Sequence, residues 1–303
     1  IVAKTALQTL QGAPVSKVTL TNPKDVPGLR KQLERSDVPC FEADIRFTRR
    51  FLIDNDILSL VTITGQTTEG SFAQVHFQDP IIAPCAPDPD LLKRVRPRLL
   101  SFDIETDATA SRVYSISLFT PEHSEVLALS NDGLEALHKK GEISYTNLFA
   151  TEKDIIKAFL ERVRLLDPDV LVGWNVVDFD MKVLAARAKA LGIPFVLGRS
   201  EATTGLRIES SFFRDSSVHI QGRLVLDGIQ LLRSSFVKLN DYKLNTAAKH
   251  FLQDTKLIQE DNRFEIIDEL YTNDPKLFVE YNLKDSRLVY DILEVSGVFD
   301  LTV

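Results

Sequence analysis

Arg98-Leu99-Leu100-Ser101-Phe102-Asp103-Ile104-Glu105-Thr106 sets two acids two positions apart inside an apolar run. The run predicts a strand, and side chains two apart on a strand share a face, so Asp103 and Glu105 point the same way. A surface strand often carries such a pair without further meaning. Here the apolar flanks imply partial burial, which is costly for a carboxylate unless a cation or hydrogen bonds compensate.

Outward from that strand, Val113 to Phe119 and Glu125 to Ser130 read as two more strands, giving an antiparallel meander. A helix starts at Thr151, whose side chain can cap it while Asp154 reaches back, with Ile155, Ile156, Phe159, Leu160 and Val163 as its buried stripe. The apolar run Asp169 to Asn175 predicts a central strand covered on both faces. Asp180 to Leu191 is expected to be helical and to stop at Gly192-Ile193-Pro194, followed by a strand at Gly222 to Asp227 and a helix near Asp241 to Leu252. In the last helix Asp274 caps, Pro275 sits in the first turn, and Leu277, Phe278, Leu288, Val289, Ile292 and Leu293 give the apolar period. Tyr281 and Asp285, four apart, lie on one of its faces. The expected class is α/β: a mixed sheet flanked by helices, the layout of the ribonuclease-H-like fold.

Before this lies a β-rich stretch with short runs at Val15 to Leu20, Phe51 to Asp54 and Leu58 to Thr64, and a helix over Val26 to Arg35. The proline-rich stretch Pro80 to Pro97 reads as an extended connector, so the expected division is residues 1–95 and 96–303. Charge divides along the same line. Residues 1–98 carry 13 Lys plus Arg against 11 Asp plus Glu, net +2, and residues 99–303 carry 23 against 32, net −9. The acidity therefore lies with the candidate site, and a nucleic-acid partner would be held through metals and local basic strips rather than a broad positive face.

No run approaches the length of a membrane span, so no membrane partner is expected. Cys40 and Cys85 are too few and too separated for a zinc site or a disulfide framework, which fits a reducing, cytoplasmic setting; Cys40, beside Phe41, is expected to be buried. The chain opens at Ile1 and its one methionine is Met181, so a piece of a longer chain is expected.

Asp103, Glu105, Asp180 in Gly173-Trp174-Asn175-Val176-Val177-Asp178-Phe179-Asp180, and Asp285 in Tyr281-Asn282-Leu283-Lys284-Asp285 bring four carboxylates from three segments. Oxygen-only donors favour hard cations such as magnesium or manganese, and a paired-metal site suits in-line displacement at a phosphodiester. Each residue alone also has a plain structural reading. Asp180 would serve as a helix-start acid, Asp285 as a solvated mid-helix acid beside Lys284 and Arg287, Tyr281 as a half-buried core tyrosine, and Asn175 as a turn cap.

Taken in order, Asp-Ile-Glu-Thr on a strand, Gly-Trp-Asn-x-x-Asp-Phe-Asp at a strand end and Tyr-x-x-x-Asp on a late helix resemble the three exonuclease motifs of the DEDD superfamily. This is the tyrosine variant, because Glu280 stands where the other variant has histidine. With Leu197-Gly198-Arg199, Gly222 to Gly228, and Phe41 to Ile45 followed by Arg50 to Asp54, the chain is similar to family B DNA polymerases, nearest the bacterial polymerase II branch and its archaeal relatives. The resemblance implies an amino-terminal domain and a proofreading 3′→5′ exonuclease domain. It implies two divalent ions, Mg2+ or Mn2+. Asp103, Glu105 and Asp285 would hold the ion that activates water, with Asp103 bridging to a second ion held by Asp180. Tyr281, with help from Glu105, would orient the water, and Asn175 and Phe179 would shape the site or touch the terminal nucleotide. The implied partners are a single-stranded or frayed DNA primer 3′ end, palm, fingers and thumb domains in the parent chain, and a sliding clamp bound through an absent carboxyl terminus. The implied setting is the bacterial or archaeal nucleoid.

Thr204 to Phe213 and Ser216 to Ile220, around Arg214-Asp215, alternate like two strands where the family places a β-hairpin; an ordinary surface hairpin reads equally well. None of the family's polymerase motifs occurs, neither Ser-Leu-Tyr-Pro-Ser nor Asp-Thr-Asp, so DNA synthesis is not expected of this chain. A free-standing DEDD exonuclease acting on RNA or single-stranded DNA would share the carboxylates, but it would not need residues 1–95.

Overall fold

The structure is a computed structural model that describes residues 1–58, 60–70, 75–86, 90, 96–209, 216–255, 257 and 263–299. The chain divides into two compact units, one of residues 1–68 and 76–93, the other of residues 94–303 with 69–75.

The first unit holds two antiparallel hairpins, β1 (Val2–Gln8) with β2 (Pro14–Val18) and β3 (Val61–Thr68) with β4 (His76–Pro84). It also holds two helices, α1 (Val26–Arg35) and α2 (Phe47–Asp54). The helix over Val26 to Arg35 forms as the sequence predicts. Phe51 to Asp54 does not form a strand: it is the last turn of α2, where Phe47 and Phe51 fall four apart on one helical face. Ile57 is the one buried residue among the described residues of this unit. Cys40 is partly exposed and Cys85 exposed, so the burial expected of Cys40 is not found. The expected connector begins inside β4, while residues 87–89 and 91–95, the expected division at 95 and the Arg214-Asp215 turn lie outside the described residues.

The second unit is built on a six-stranded sheet of β5 (Leu99–Thr106), β6 (Val113–Thr120), β7 (His123–Leu129), β8 (Thr146–Phe149), β9 (Val170–Gly173) and β12 (Leu224–Asp227), in the order β12-β9-β5-β6-β7-β8. β5, β6 and β7 form the antiparallel meander, and β9 and β12 add in parallel to β5. β8 adds in parallel to β7 through α3 (Asp132–Lys139), a pair of elements that the sequence reading did not anticipate. Between β9 and β12, a small hairpin joins β10 (Gly205–Arg207) to β11 (Ser217–His219).

Alternation along β5 sorts its side chains between two helical layers. Leu100, Phe102 and Ile104 enter a core with Ile116, Leu118 and the stripe Ile155, Ile156, Phe159 and Val163 of α4 (Glu152–Leu166), where Phe102 and Phe159 approach to 5.2 Å between ring centroids. Thr151 caps α4 as expected, its Oγ accepting from the amide of Asp154 at 3.3 Å and its hydroxyl donating to the Asp154 carboxylate at 2.6 Å. This layer also holds α5 (Lys182–Ala190). The opposite face is crossed by the last helix, α9 (Pro275–Ser296), capped by Asp274 and preceded by α8 (Arg263–Asn273). Phe278, Val279 and Tyr281 of α9 pack on Val126 and Ala128, while Leu288, Val289, Ile292 and Leu293 join Leu99, Val170, Val172 and the helices α6 (Gly228–Ser234) and α7 (Leu244–Leu252). Between these two apolar contacts the face of β5 and β6 is polar. No helix among the described residues is long and apolar enough to cross a membrane.

Candidate active site

Ser101, Asp103 and Glu105 on β5, with Ser115 and Ser117 opposite on β6, form the polar stripe. The ladder shifts register between Glu105 and Thr106, whose partners are Ser115 and Val113, so Tyr114 is the extra residue of a bulge where the site begins. All five side chains of the stripe are buried. α9 answers it with polar residues set into its own apolar stripe. Ser101 Oγ donates to the Ser286 carbonyl at 2.7 Å, and Ser117 Oγ donates to the Asn282 carbonyl at 2.9 Å. Asn282, fully buried, accepts from Ser115 Oγ at 2.8 Å and donates through Nδ2 to Asp103 Oδ2, also at 2.8 Å.

The second motif approaches from the other edge of β5. Strand β9 pairs with Leu99, Leu100 and Ser101 and ends at Gly173, earlier than the sequence predicts. A Cβ on Gly173 would stand 2.8 Å from the Val176 side chain and 3.0 Å from the Phe102 carbonyl, so the chain can turn there only without a side chain. Asn175 takes a left-handed φ of 59°, a conformation that asparagine tolerates better than most residues, and it is exposed. A π-helical turn, Val177–Met181, follows, closed by Met181 N–H on the Val176 carbonyl at 2.8 Å. With this extra residue Asp178 faces out and Asp180 faces in. Asp180 Oδ1 accepts the Ile104 amide at 3.1 Å, on the stretch of β5 that β9 leaves unpaired. Phe179 is half-buried against the apolar core on the α4 side.

Asp103, Glu105 and Asp285 are 7%, 3% and 0% exposed, and their carboxylate oxygens lie within 4.8 Å of one another. At that spacing like charges repel by roughly 3 kcal/mol per pair even at an effective dielectric near 20. The trio is all oxygen and all hard, so it suits a divalent cation of the magnesium and manganese type. Asp180 is not one of the three; it reaches the same strand from the β9 edge. Tyr281 is buried one turn before Asp285 on α9. The chain therefore brings the acids of all three motifs to β5, with Asn175 and Phe179 on the turn beside them. Sequence reasoning missed Asn282, Ser115 and Ser117. Their signal was present in the polar residue at 282 within an apolar helical stripe and in the alternation of serines along β6.

A family model of the DNA polymerase family B exonuclease domain matches residues 38–247. The chain belongs to this family. Among similar proteins, DNA polymerase II of Escherichia coli is 29% identical over 97% of this chain and 36% of its own length. The DNA polymerase delta catalytic subunit of Bos taurus is 29% identical over 93% of this chain and 29% of its own, and a DNA polymerase of Thermococcus gorgonarius is 26% identical over 93% and 32%. The solved structure of the family B DNA polymerase from Pyrobaculum calidifontis shares the fold, with a TM-score of 0.65 at 22% identity over 97% of this chain and 36% of that one. This family B exonuclease domain, with the residues before it, thus spans about a third of the length of these relatives. Asp103, Glu105 and Asp180 lie within the residues that match the exonuclease-domain model and Asp285 lies beyond them, and the match agrees with the family read from the motifs.

Proposed function

We infer that this chain is the editing portion of a longer DNA polymerase, a metal-dependent 3′→5′ exonuclease that removes nucleoside 5′-monophosphates from single-stranded or frayed primer ends. The observation that carries the reading is the meeting of Asp103, Glu105 and Asp285 within 4.8 Å, with Asp180 anchored to the same strand. In the reaction a water oxygen bonds to the terminal phosphorus, the bond from phosphorus to the preceding 3′ oxygen breaks, and that oxygen leaves as a hydroxyl. Two divalent ions, magnesium or manganese, would supply charge neutralisation at the phosphate and the leaving oxygen.

The remaining roles belong to the chain. Asp103, Glu105 and Asp285 would hold one ion, and Asp103 with Asp180 would hold the other. Tyr281 and Glu105 orient the attacking water, and burial of the trio excludes bulk solvent from it. Asn175 and Phe179, on the turn after β9, contact the terminal nucleotide. Residues 1–95 form a separate amino-terminal domain. The palm, fingers and thumb belong to the parent chain, with a sliding clamp as a further partner, and the enzyme works at the nucleoid of a bacterial or archaeal cell.

Release of labelled 3′-terminal monophosphate from single-stranded DNA with magnesium or manganese tests the reading against the double substitution Asp103→Ala plus Glu105→Ala. Release should fall on the order of a thousandfold in the variant. Hydrolysis that survives the double substitution, or an intact chain that neither hydrolyses DNA nor binds manganese, would refute it.

A further inference from the structure

The hairpin that joins β5 to β6 carries the bulge beside Glu105. A regular ladder would follow the pairing of Glu105 with Ser115 by setting Thr106 opposite Tyr114; the chain instead sets Thr106 opposite Val113. The added residue keeps Val113 fully buried in the core with the stripe of α4, while Glu105 and Ser115 stay on the face that meets α9. The amide of Val113 donates to Glu152 Oε1 at 3.0 Å. Glu152 opens α4 and is 8% exposed, and Arg187 of α5 holds its carboxylate, with Nε 2.8 Å from Oε1 and Nη2 2.7 Å from Oε2. Such a forked pair fixes both the position and the plane of the carboxylate. The turn from Asp107 to Arg112 is closed by its own groups: the Asp107 amide donates to the Arg112 carbonyl at 3.1 Å, and the Asp107 carboxylate accepts the Ser111 amide at 2.7 Å. Glu152 therefore grips the hairpin where this closed turn gives way to the bulge.

We propose that Glu152 is a positioning residue of the site, whose carboxylate holds the Val113 amide and so fixes the bulge that aims Glu105 at the metal. The proposal rests on the nuclease reading for the role of Glu105 as a ligand. A bulge bends its strand and re-aims the side chains beside it. Without the acceptor a buried N–H is left unpaired, a cost that the chain relieves by shifting the strand or admitting water. Either change moves the backbone that faces Glu105. A carboxylate that served only to tie α4 to α5 would need Arg187 alone, with no backbone amide from a third element.

Two paired substitutions separate the grip from the ion pair. Glu152→Gln plus Arg187→Gln and Glu152→Leu plus Arg187→Leu both remove the pair without leaving a buried charge unpaired. Only the first keeps an oxygen that can accept the Val113 amide. Manganese affinity by calorimetry and amide hydrogen exchange are measured on the full chain and on both variants. The leucine variant should bind manganese roughly 10- to 100-fold more weakly, while the glutamine variant stays within about threefold of wild type. Exchange at Thr106 and at residues 113–115 should rise about tenfold or more in the leucine variant alone. Equal manganese affinity in the two variants overturns the proposal. Should the leucine variant not fold, the wild type decides: the Val113 amide should exchange as slowly as those of Ile116 and Leu118 in mid-strand, and exchange as fast as at residues 109–112 of the turn overturns the grip. If the wild type binds no manganese, the nuclease reading fails, and exchange at 113–115 alone decides whether Glu152 holds the bulge.

Discussion

Asn282 joins three parts of the fold through one amide: its own helix α9, Ser115 on β6, and Asp103 on β5. Its Nδ2 donor orients Asp103 Oδ2 at 2.8 Å and adds a partial positive charge beside three crowded carboxylates. Replacement by alanine removes that donor and leaves the buried Ser115 hydroxyl to find another acceptor. Asn282→Ala should cost about 1–3 kcal/mol in denaturant unfolding, and manganese affinity by calorimetry should drop roughly 10- to 100-fold. Unchanged affinity would show that Asp103 needs no such orientation. At this scale the acids were legible because charged residues inside apolar runs are conspicuous. Asn282 was not, because a polar residue on a helix usually faces water, and only the packing of α9 over the serines of β6 turns it inward.

Among the elements, the turn after β9 governs where the second motif acts. The sequence reads a strand running to Asn175 and a helix from Asp180. The chain leaves the ladder at Gly173 and winds a π turn from Val177 to Met181, because Gly173 lets Val176 fold back against it and Asn175 accepts a left-handed φ. No hydrophobic period announces a π turn, and this accounts for the missed boundary. Gly173→Ala tests the close approach. The added methyl would stand 2.8 Å from Val176 and 3.0 Å from the Phe102 carbonyl, so the turn bearing Asp180 must shift. The variant should lose about 1–3 kcal/mol of stability and most of its 3′-terminal hydrolysis. Wild-type rates in a folded Gly173→Ala protein would mean that the position of Asp180 is not critical. Elsewhere, Phe51 to Asp54 was misread because four apolar-rich residues fit either period, and α3 with β8 went unseen because both are short. The long periodic elements, α4 and α9, were legible from caps and stripes together.

Across the whole second unit, the parallel strands β5, β9 and β12 give the sheet two unlike ends. The acids gather toward the carboxyl ends, the usual place for a ligand beside parallel strands. Just before the amino ends lie Arg98, Asp169 and Arg223, tied with Asp167 and Arg199 into one network. Asp167 pairs with Arg98 at 3.0 Å, Arg199 at 2.8 Å and Arg223 at 2.9 Å, and Asp169 pairs with Arg199 at 2.7 Å. The Arg223 side chain is 1% exposed and donates also to the carbonyls of Leu197 and Pro168, so its charge depends on these partners. Burial pushes the Asp167 and Asp169 carboxyls up. Hydrogen bonds from Arg199 and Arg223 to Asp167, and from the Arg98 amide and Arg199 to Asp169, outweigh it and hold both below the usual carboxylate range. Carboxyls depressed in the folded state bind protons less readily than in the unfolded chain. Their stabilisation is complete above the unfolded value near pH 4 and is lost as pH falls through the lower folded values. Denaturant unfolding followed from about pH 6 to pH 2 should therefore show a loss on the acid side that Asp167→Asn reduces. Asparagine keeps the left-handed φ of 44° at this helix end, so the substitution isolates the charge. At neutral pH it should cost roughly 2–4 kcal/mol, toward the lower part of that span because Asp167 is a quarter exposed. A variant as stable as wild type at pH 7, with the same acid limb, would show that the network is not what holds the amino ends of the parallel strands together.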